Sequence, residues 1–429
     1  MSPEEKAKLI FDAGIEAVKP DRLIKANIKL NDNELTVGKK VLKLQTDSHI
    51  FVIGFGKASG LMAAALEEVF GNRITAGHVT VKYGHPAPCK RITVSEAGHP
   101  VPYANSLRST EKILEIAGSA REQDIVFCLI SGGGSALFEK LPDNISLTDL
   151  QDLSELLVQS GADISAINTV RKQISLVKGG QLANIIHPAK TISLILSDVV
   201  GDSVETIASG PTAPNRTNHT NALSIIKDYG LAEKLPVVIT EHLQKNRHSD
   251  TSNVDVINLI IGNNKIALQS AVAQAEALNY EPVILTDNLQ GDARLAAEYI
   301  LNEARRIVTG STRPVCLLMG GETTVKVTGN GVGGRNMELA LWALSHMTAD
   351  DKHILIASCG TDGTDGPTDA AGAIAIATVI RSAIDQKLDP ATFLAENDSY
   401  TFFAKCNGLI QTGPTGTNVM DIVLALIDV

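Results

Sequence analysis

Val52–Met62 reads VIGFGKASGLM. An apolar, β-branched run delivers the chain into a glycine-bearing turn at Gly54 and Gly56. A helical pattern opens near Ala58. Strand, tight turn and helix in that order form the unit from which parallel α/β sheets are built. The pattern recurs outward from this stretch. HIFVIGF, GHVTVKY, DIVFCLI and TISLILS read as strands in the first half, and VDVINLI, EPVILT, PVCLLMG, TTVKVT, HILIAS and AGAIA in the second. Helical stretches such as GLMAAALEEVF, LTDLQDLSELLVQSG and DARLAAEYILNEARRI lie between them. Such alternation implies mainly parallel sheets covered by helices on both faces.

The chain has 429 residues, too many for one ordinary core, so two domains are expected. The polar segment LQKNRHSDTSNVD, Leu243–Asp255, reads as the join. The expectation is therefore an N-terminal Rossmann-like domain over 1–245 and a smaller mixed-sheet α/β domain over 246–429. The last ~25 residues are expected to pack back on the first domain. Apolar residues make up 44% and charged residues 20%, with a net charge of -10. An acidic balance argues against nucleic acid or an anionic membrane as the main partner. The N-terminal residues do not read as a signal peptide, and no apolar run is long enough for a membrane span. The five cysteines are scattered without a CxxC pair, as in a reduced, cytoplasmic protein.

In open α/β sheets ligands sit beyond the carboxyl ends of the strands, so the loops there carry the functional reading. In VIGFGKASGLM, Gly56 and Lys57 stand where a helix N-terminus offers free N–H groups to an anion. The plain alternative is a turn with a surface lysine. Gly54, Gly56 and Gly60 approximate a dinucleotide fingerprint. The following strand, however, ends in Lys82 where a ribose-binding acid belongs, which disfavours NAD. In LISGGGSALFE, Ser131, Gly132, Gly133, Gly134 and Ser135 give bare backbone and two hydroxyls, suited to phosphate, though triple glycine can be purely conformational. In DISAINTVRKQISLVKGG, Asn168, Arg171, Ser175 and Lys178 form a polar stripe that is either a solvated helix face or a site wall. Asp198 follows a strand in SDVVGD and is placed to hold Mg²⁺ or accept a proton, or is a turn aspartate. In GGETTVKVTGNGVGGRNMELAL, Glu322 ends a strand, and Gly333 and Gly334 lead into Arg335 at a helix start, suited to carboxylate or phosphate. In GTDGTDGPTDAAGA the aspartate spacing excludes an EF-hand loop. Asp369 reads there as a cap for a following helix. No HExxH, GxSxG or histidine cluster is present. Glycine-rich loops with two cationic anchors and placed aspartates fit phosphoryl transfer.

Read together, GFGKASG, SGGGSALFE, INTVRKQIS, SDVVGD, IASGPTAPN, GGETTV, GGRNMELAL, GTDGTDGPTDAAGA and TGPTGTNVMD resemble the glycerate 2-kinase family, the type with an MOFRL C-terminal domain. The resemblance covers nearly the whole chain. It implies ATP- and Mg²⁺-dependent phosphorylation of the C2 hydroxyl of D-glycerate, two α/β domains, and an active site in the cleft between them. Lys57 and Arg335 look like the catalytic cations and Asp198 the catalytic acid. Asn168, Arg171 and Ser131–Ser135 look like cleft-lining residues, and Asp362 and Asp365 like active-site carboxylates. Asp198 and Asp362 are the candidate metal ligands. Arg335 has the geometry to clamp the substrate carboxylate and Lys57 to face the γ-phosphoryl, and exchanging these two jobs is an open alternative. The implied partners are D-glycerate and ATP, in a monomer or homodimer. A hydroxypyruvate reductase and a non-catalytic sugar-acid sensor are the competing readings.

Overall fold

The computed structural model describes residues 1–245 and 254–428. The chain divides into two compact units, Pro20–Ile261 and Met1–Lys19 together with Gly262 onward.

The first unit is built on a six-stranded sheet. Its spatial order is Ile92–Ala97, Ile74–Lys82, Ile50–Phe55, Ile125–Ile130, Lys190–Leu196 and Val256–Gly262. Every pair among the first five strands is parallel, with Ile53 opposite His78 on one side and Cys128 on the other. Chain order runs outward in one direction from Ile50–Phe55 and in the other from Ile125–Ile130. The strand order therefore reverses between those two strands, as in a doubly wound nucleotide-binding sheet. Both strands are buried at every residue, which explains their continuous apolar runs. Phe51, Ile53, Val126 and Cys128 share a core with Ile113, Ala117, Leu182 and Ile186 from covering helices. Phe55 stacks on Phe138, their ring centroids 4.1 Å apart. A second core, drawn largely from helices, joins Leu150, Leu153 and Leu157 to Val170, Ile174, Ile226 and Leu243. A three-stranded antiparallel sheet, Ile28–Asn31, Glu34–Val37 and Lys40–Lys43, completes the unit.

The second unit has a mixed sheet in the order Glu281–Leu289, Val315–Gly321, Asp421–Ile427, Ile354–Gly360, Gly372–Ala375 and Leu409–Ile410. Only the first pair is parallel, because Asp421–Ile427 enters antiparallel to both its neighbours. Among the described residues no helix is long and apolar enough to cross a membrane.

Four features differ from the expected layout. The join expected in Leu243–Asp255 falls mostly outside the described residues, and the division comes at Gly262, after a strand that completes the first sheet. The C-terminal tail forms a central strand of the second sheet, because DIVLALI is apolar on both faces. The N-terminal helix Pro3–Ala17 belongs to that second unit too. It crosses so tightly that a Cβ on Gly14 would lie 2.8 Å from Ile422 Cδ1 and 3.2 Å from the Ala267 carbonyl oxygen. TTVKVT makes no strand, only an isolated bridge from Thr324 to Asp292.

Phe11 is 2% exposed on this helix. Phe11→Ala should destabilise the second unit by ~3–5 kcal/mol, read as an earlier transition in differential scanning calorimetry. An unchanged melt would show that the N-terminal helix is not part of that unit's core.

Candidate active site

The strand-order reversal of the first unit lies between Ile50–Phe55 and Ile125–Ile130, so the loops that follow them face the crevice where ligands bind in such sheets. The two loops are laced together. Ser131 N–H donates to the Phe55 carbonyl at 3.2 Å, Lys57 N–H to the Gly132 carbonyl at 2.8 Å, and Ala58 N–H to Ser131 Oγ at 3.1 Å. Gly56 has φ +133°, and a Cβ there would overlap Ser131 Oγ and lie 2.5 Å from the Ser131 carbonyl oxygen. No side chain fits, so glycine is required by contact as well as by conformation. Gly133 has φ +82°, and a Cβ on it would lie 2.9 Å from His99 Cδ2 and 3.6 Å from Lys57 Cγ. Gly134 opens the short helix Gly134–Leu137. A Cβ there would lie 2.8 Å from Ala208 Cβ. The Lys57 stem and the His99 ring thus flank the glycine loop.

Ser135 Oγ hydrogen-bonds Ser209 Oγ at 2.8 Å, and Ser209 Oγ donates to Asn168 Oδ1 at 3.3 Å. Ala208 and Ser209 both adopt left-handed backbone, φ +50° and +63°, an uncommon conformation for residues with side chains. Arg171 Nη2 donates to the Ser135 carbonyl at 3.3 Å. The polar stripe is not one helix face, because the helix ends at Gln173. Ser175 and Lys178 turn inward, where Glu139 accepts from Ser175 Oγ and pairs with Lys178, both side chains fully buried. Burial lowers the Lys178 pKa, opposed by Glu139. Asp198 stands partly buried in the loop after Lys190–Leu196.

Sequence reasoning missed His99. Burial first, and then the charges of Lys57, Lys82 and His85, push its pKa down to about 4, so it is a neutral imidazole near pH 7. The only available signal was a GHP after the half-polar stretch ITVSEA, which forms a strand in the structure, and GHP has many meanings.

The second unit gathers its residues where Val315–Gly321, Asp421–Ile427 and Ile354–Gly360 meet, with Asp421 opposite both Gly321 and Gly360. Arg335 opens the helix Arg335–His346. Its Nε and Nη2 donate to the two Asp421 oxygens at 2.6 and 2.8 Å, and its Nη1 lies 2.8 Å from Glu322 Oε1. The fork expected to clamp a substrate carboxylate is therefore already filled by Asp421. Burial opposes the Arg335 charge, but Asp421 and Glu322 outweigh it and raise its pKa. Burial pushes the Asp421 carboxyl up, opposed by Arg335. Asp421 also escaped the sequence reading, although it closes the motif TGPTGTNVMD. Its partner is 86 residues away, and no spacing rule spans that distance.

The glycine loop before Arg335 serves close packing. A Cβ on Gly333 would overlap Ser399 Oγ, and Gly331 N–H donates to the Glu396 carbonyl at 2.8 Å. Asp365 is 2% exposed and caps the helix, accepting from Met337 N–H at 2.8 Å and Asn336 N–H at 3.2 Å. Its carboxylate abuts Gly334, whose Cβ it would exclude. Asp365 thus holds the loop in place, where the sequence pointed to a substrate-binding carboxylate. Asp362 Oδ1 accepts from Thr364 N–H and Oγ1 at 3.0 and 2.9 Å, closing the turn. Asp369 is no helix cap, because AAGAIA pairs as a strand with Ile354–Gly360. Its oxygens accept from Tyr400 Oη and Gln411 Nε2.

Family models match residues 6–244, as a domain of unknown function, DUF4147, and residues 315–421, as the MOFRL family. The chain is 39% identical to a protein of Thermotoga maritima named D-glycerate 2-kinase, over 99% of both chains. It is 40% identical to a glycerate 2-kinase of Pyrococcus horikoshii, over 98% of this chain and 96% of that one. The chain belongs to the glycerate 2-kinase family. A crystal structure of glycerate kinase from Thermotoga maritima superimposes with a TM-score of 0.87 at 37% identity, covering 99% of this chain and all of that one. A human relative named glycerate kinase is 36% identical over 98% of this chain. The first matched segment spans most of the doubly wound unit together with the N-terminal helix, and the second lies within the mixed-sheet unit that carries Arg335 and Asp421.

Burial raises the Asp365 carboxyl to about 6 despite its two backbone donors. A folded-state value above the unfolded value near 4 means that the folded state holds the extra proton. The associated stability is present below pH ~4 and is lost as pH rises through ~6, an effect of roughly 2–3 kcal/mol. Asp365→Asn lacks this titration, so its melting temperature relative to wild type should rise between pH 4 and pH 6.5. Parallel pH dependence in the two proteins would refute the elevated value.

Proposed function

We propose that this chain transfers the γ-phosphoryl group of ATP to the C2 hydroxyl of D-glycerate, giving 2-phospho-D-glycerate and ADP. The observation that carries the reading is the place of Lys57. It stands at the strand-order reversal of a doubly wound sheet, tied by its N–H to the glycine loop and next to the N-terminus of the helix Ser59–Phe70. Backbone donors, a helix N-terminus and an ammonium group together suit a transferring phosphoryl group. The relatives named D-glycerate 2-kinase and glycerate 2-kinase, similar over nearly their whole lengths, support the same chemistry.

In the reaction the C2 oxygen forms a bond to the γ-phosphorus while the bond from that phosphorus to the β–γ bridging oxygen breaks. Lys57 stabilises charge on the transferring group. Asp198 orients the hydroxyl and takes up its proton or holds the metal. Arg335, oriented by Asp421 and Glu322, is the second cation of the reading. Among the described residues no group of three or more His, Cys, Asp or Glu side chains is arranged to hold a metal ion. That donor set still fits magnesium arriving with ATP, which takes one or two carboxylates and completes its shell with phosphate oxygens and water. Asp198 and Asp362 are the carboxylates proposed for it. When bound, magnesium neutralises charge on the polyphosphate.

The hydroxypyruvate reductase reading meets an obstacle at the same place. The strand beside Ile50–Phe55 ends in Lys82, where a dinucleotide ribose calls for an acid.

Coupled ADP release with D-glycerate and MgATP tests the proposal, and ³¹P and ¹H NMR of the product separates C2 from C3 phosphorylation. Lys57→Ala should lower kcat/KM by ~10²-fold or more. NADH oxidation on hydroxypyruvate without ADP release, or near-normal turnover by Lys57→Ala, would overturn the reading.

A further inference from the structure

Behind the glycine loop the first unit holds more buried positive charge than negative. Lys172 and Lys178 are 8% and 1% exposed, Glu139 is 1% exposed, and Arg171 is partly buried beside them. Glu139 is taken: it pairs with Lys178 and accepts from Ser175 Oγ. Glu205 presents its backbone carbonyl to Lys172 Nζ at 2.7 Å, while its carboxylate pairs with Arg216. Arg171 has one hydrogen bond, from Nη2 to the Ser135 carbonyl at 3.3 Å, and its Nε is buried with no partner. No carboxylate among the described residues lies within ion-pair distance of it. Taking a guanidinium out of water without an ion-pair partner is costly; burial lowers the Arg171 pKa, opposed by the more distant charge of Glu139, which is already paired with Lys178.

Arg335 presents the opposite case. Its Nε–Nη2 edge is filled by Asp421 and its Nη1 by Glu322. A substrate carboxylate arriving there would have to displace an aspartate that is 3% exposed.

The glycine loop links Arg171 to the reaction. Lys57 is tied to its beginning, at the Gly132 carbonyl, and Arg171 to its end, at the Ser135 carbonyl. One short loop thus holds the Lys57 backbone at its beginning and, at its end, a guanidinium that has no ion-pair partner among the described residues. That arrangement suits an acceptor with a reacting hydroxyl at one end and a carboxylate at the other.

We propose that Arg171, rather than Arg335, binds the carboxylate of the acceptor substrate, a 2-hydroxy acid, through the guanidinium that the Ser135 carbonyl holds in place. The carboxylate supplies the ion-pair partner that Arg171 lacks, and the charge-assisted hydrogen bonds select an acid over the corresponding alcohol. This inference rests on the kinase reading for the identity of the acceptor, but its binding test does not require turnover.

Titration calorimetry of the full chain with D-glycerate, and separately with MgATP, provides the test. Arg171→Gln should weaken D-glycerate binding by ~10- to 100-fold and leave MgATP binding within about 2-fold. Arg171→Lys, which keeps the charge and the stem, should fall between that variant and wild type, and its thermal melt guards against a folding defect. In steady-state assays KM for D-glycerate should rise far more than kcat falls, a split that a purely structural role would not produce. Unchanged D-glycerate affinity in both variants would overturn the inference, as would a loss confined to MgATP. If wild type binds D-glycerate through Arg171 but releases no ADP, the carboxylate site stands and the kinase reading fails. If wild type phosphorylates D-glycerate and Arg171→Gln keeps its KM, the kinase reading stands and this inference fails.

Discussion

Gly56 lies against Ser131 with no room for a side-chain carbon between them, and the geometry of the first unit's site follows from that contact. Because the two backbones touch, Ser131 Oγ can receive Ala58 N–H and the Gly132 carbonyl can receive Lys57 N–H. The turn before the helix Ser59–Phe70 is thereby fixed to the turn after the neighbouring strand. The Lys57 backbone therefore stands on a fixed turn. The same loop continues to Ser135, which connects it to Ser209, Asn168 and Arg171. The left-handed backbone at Ala208 and Ser209 is the visible conformational cost of bringing that last strand-end loop onto the glycines.

The second unit solves a different problem. Its central strand begins with a buried carboxylate, Asp421, and a buried charge survives only with a well-placed partner. Arg335 supplies that partner, and Asp365 fixes the helix start on which Arg335 stands. One buried carboxylate orients a cation while another satisfies helix N–H groups, so two acids in neighbouring motifs do unlike work. Their oxygens are spent inside the protein, and this separates them from a carboxylate set that waits for a metal.

Strand–helix alternation made the α/β class legible, because a strand buried on both faces must be apolar throughout and a covering helix must be amphipathic. The place of Gly56 and Lys57 was legible as well, since an apolar run, a glycine turn and a helical pattern in that order put them at a strand's carboxyl end. The division of the chain was not. A polar segment suggested a join, but the sheet needed one more strand, Val256–Gly262, before the first unit was complete. TTVKVT shows the same limit. Its alternating pattern suits a strand, yet only an isolated bridge forms there.

The sequence by itself determined the class of fold, the order of its motifs and the kind of chemistry that glycine-rich loops with cationic anchors can perform. These depend on residue type and local spacing, which the chain carries wherever it folds. The tertiary structure decided which charges are paired. Arg335 and Arg171 look alike in sequence, each near a helix with polar residues three or four positions away. Only the fold brings Asp421 to Arg335 from 86 residues further on and gives Glu139 to Lys178 instead of Arg171. A charge balance depends on distance in space, and that distance is set by the sheets, not by the order of the residues.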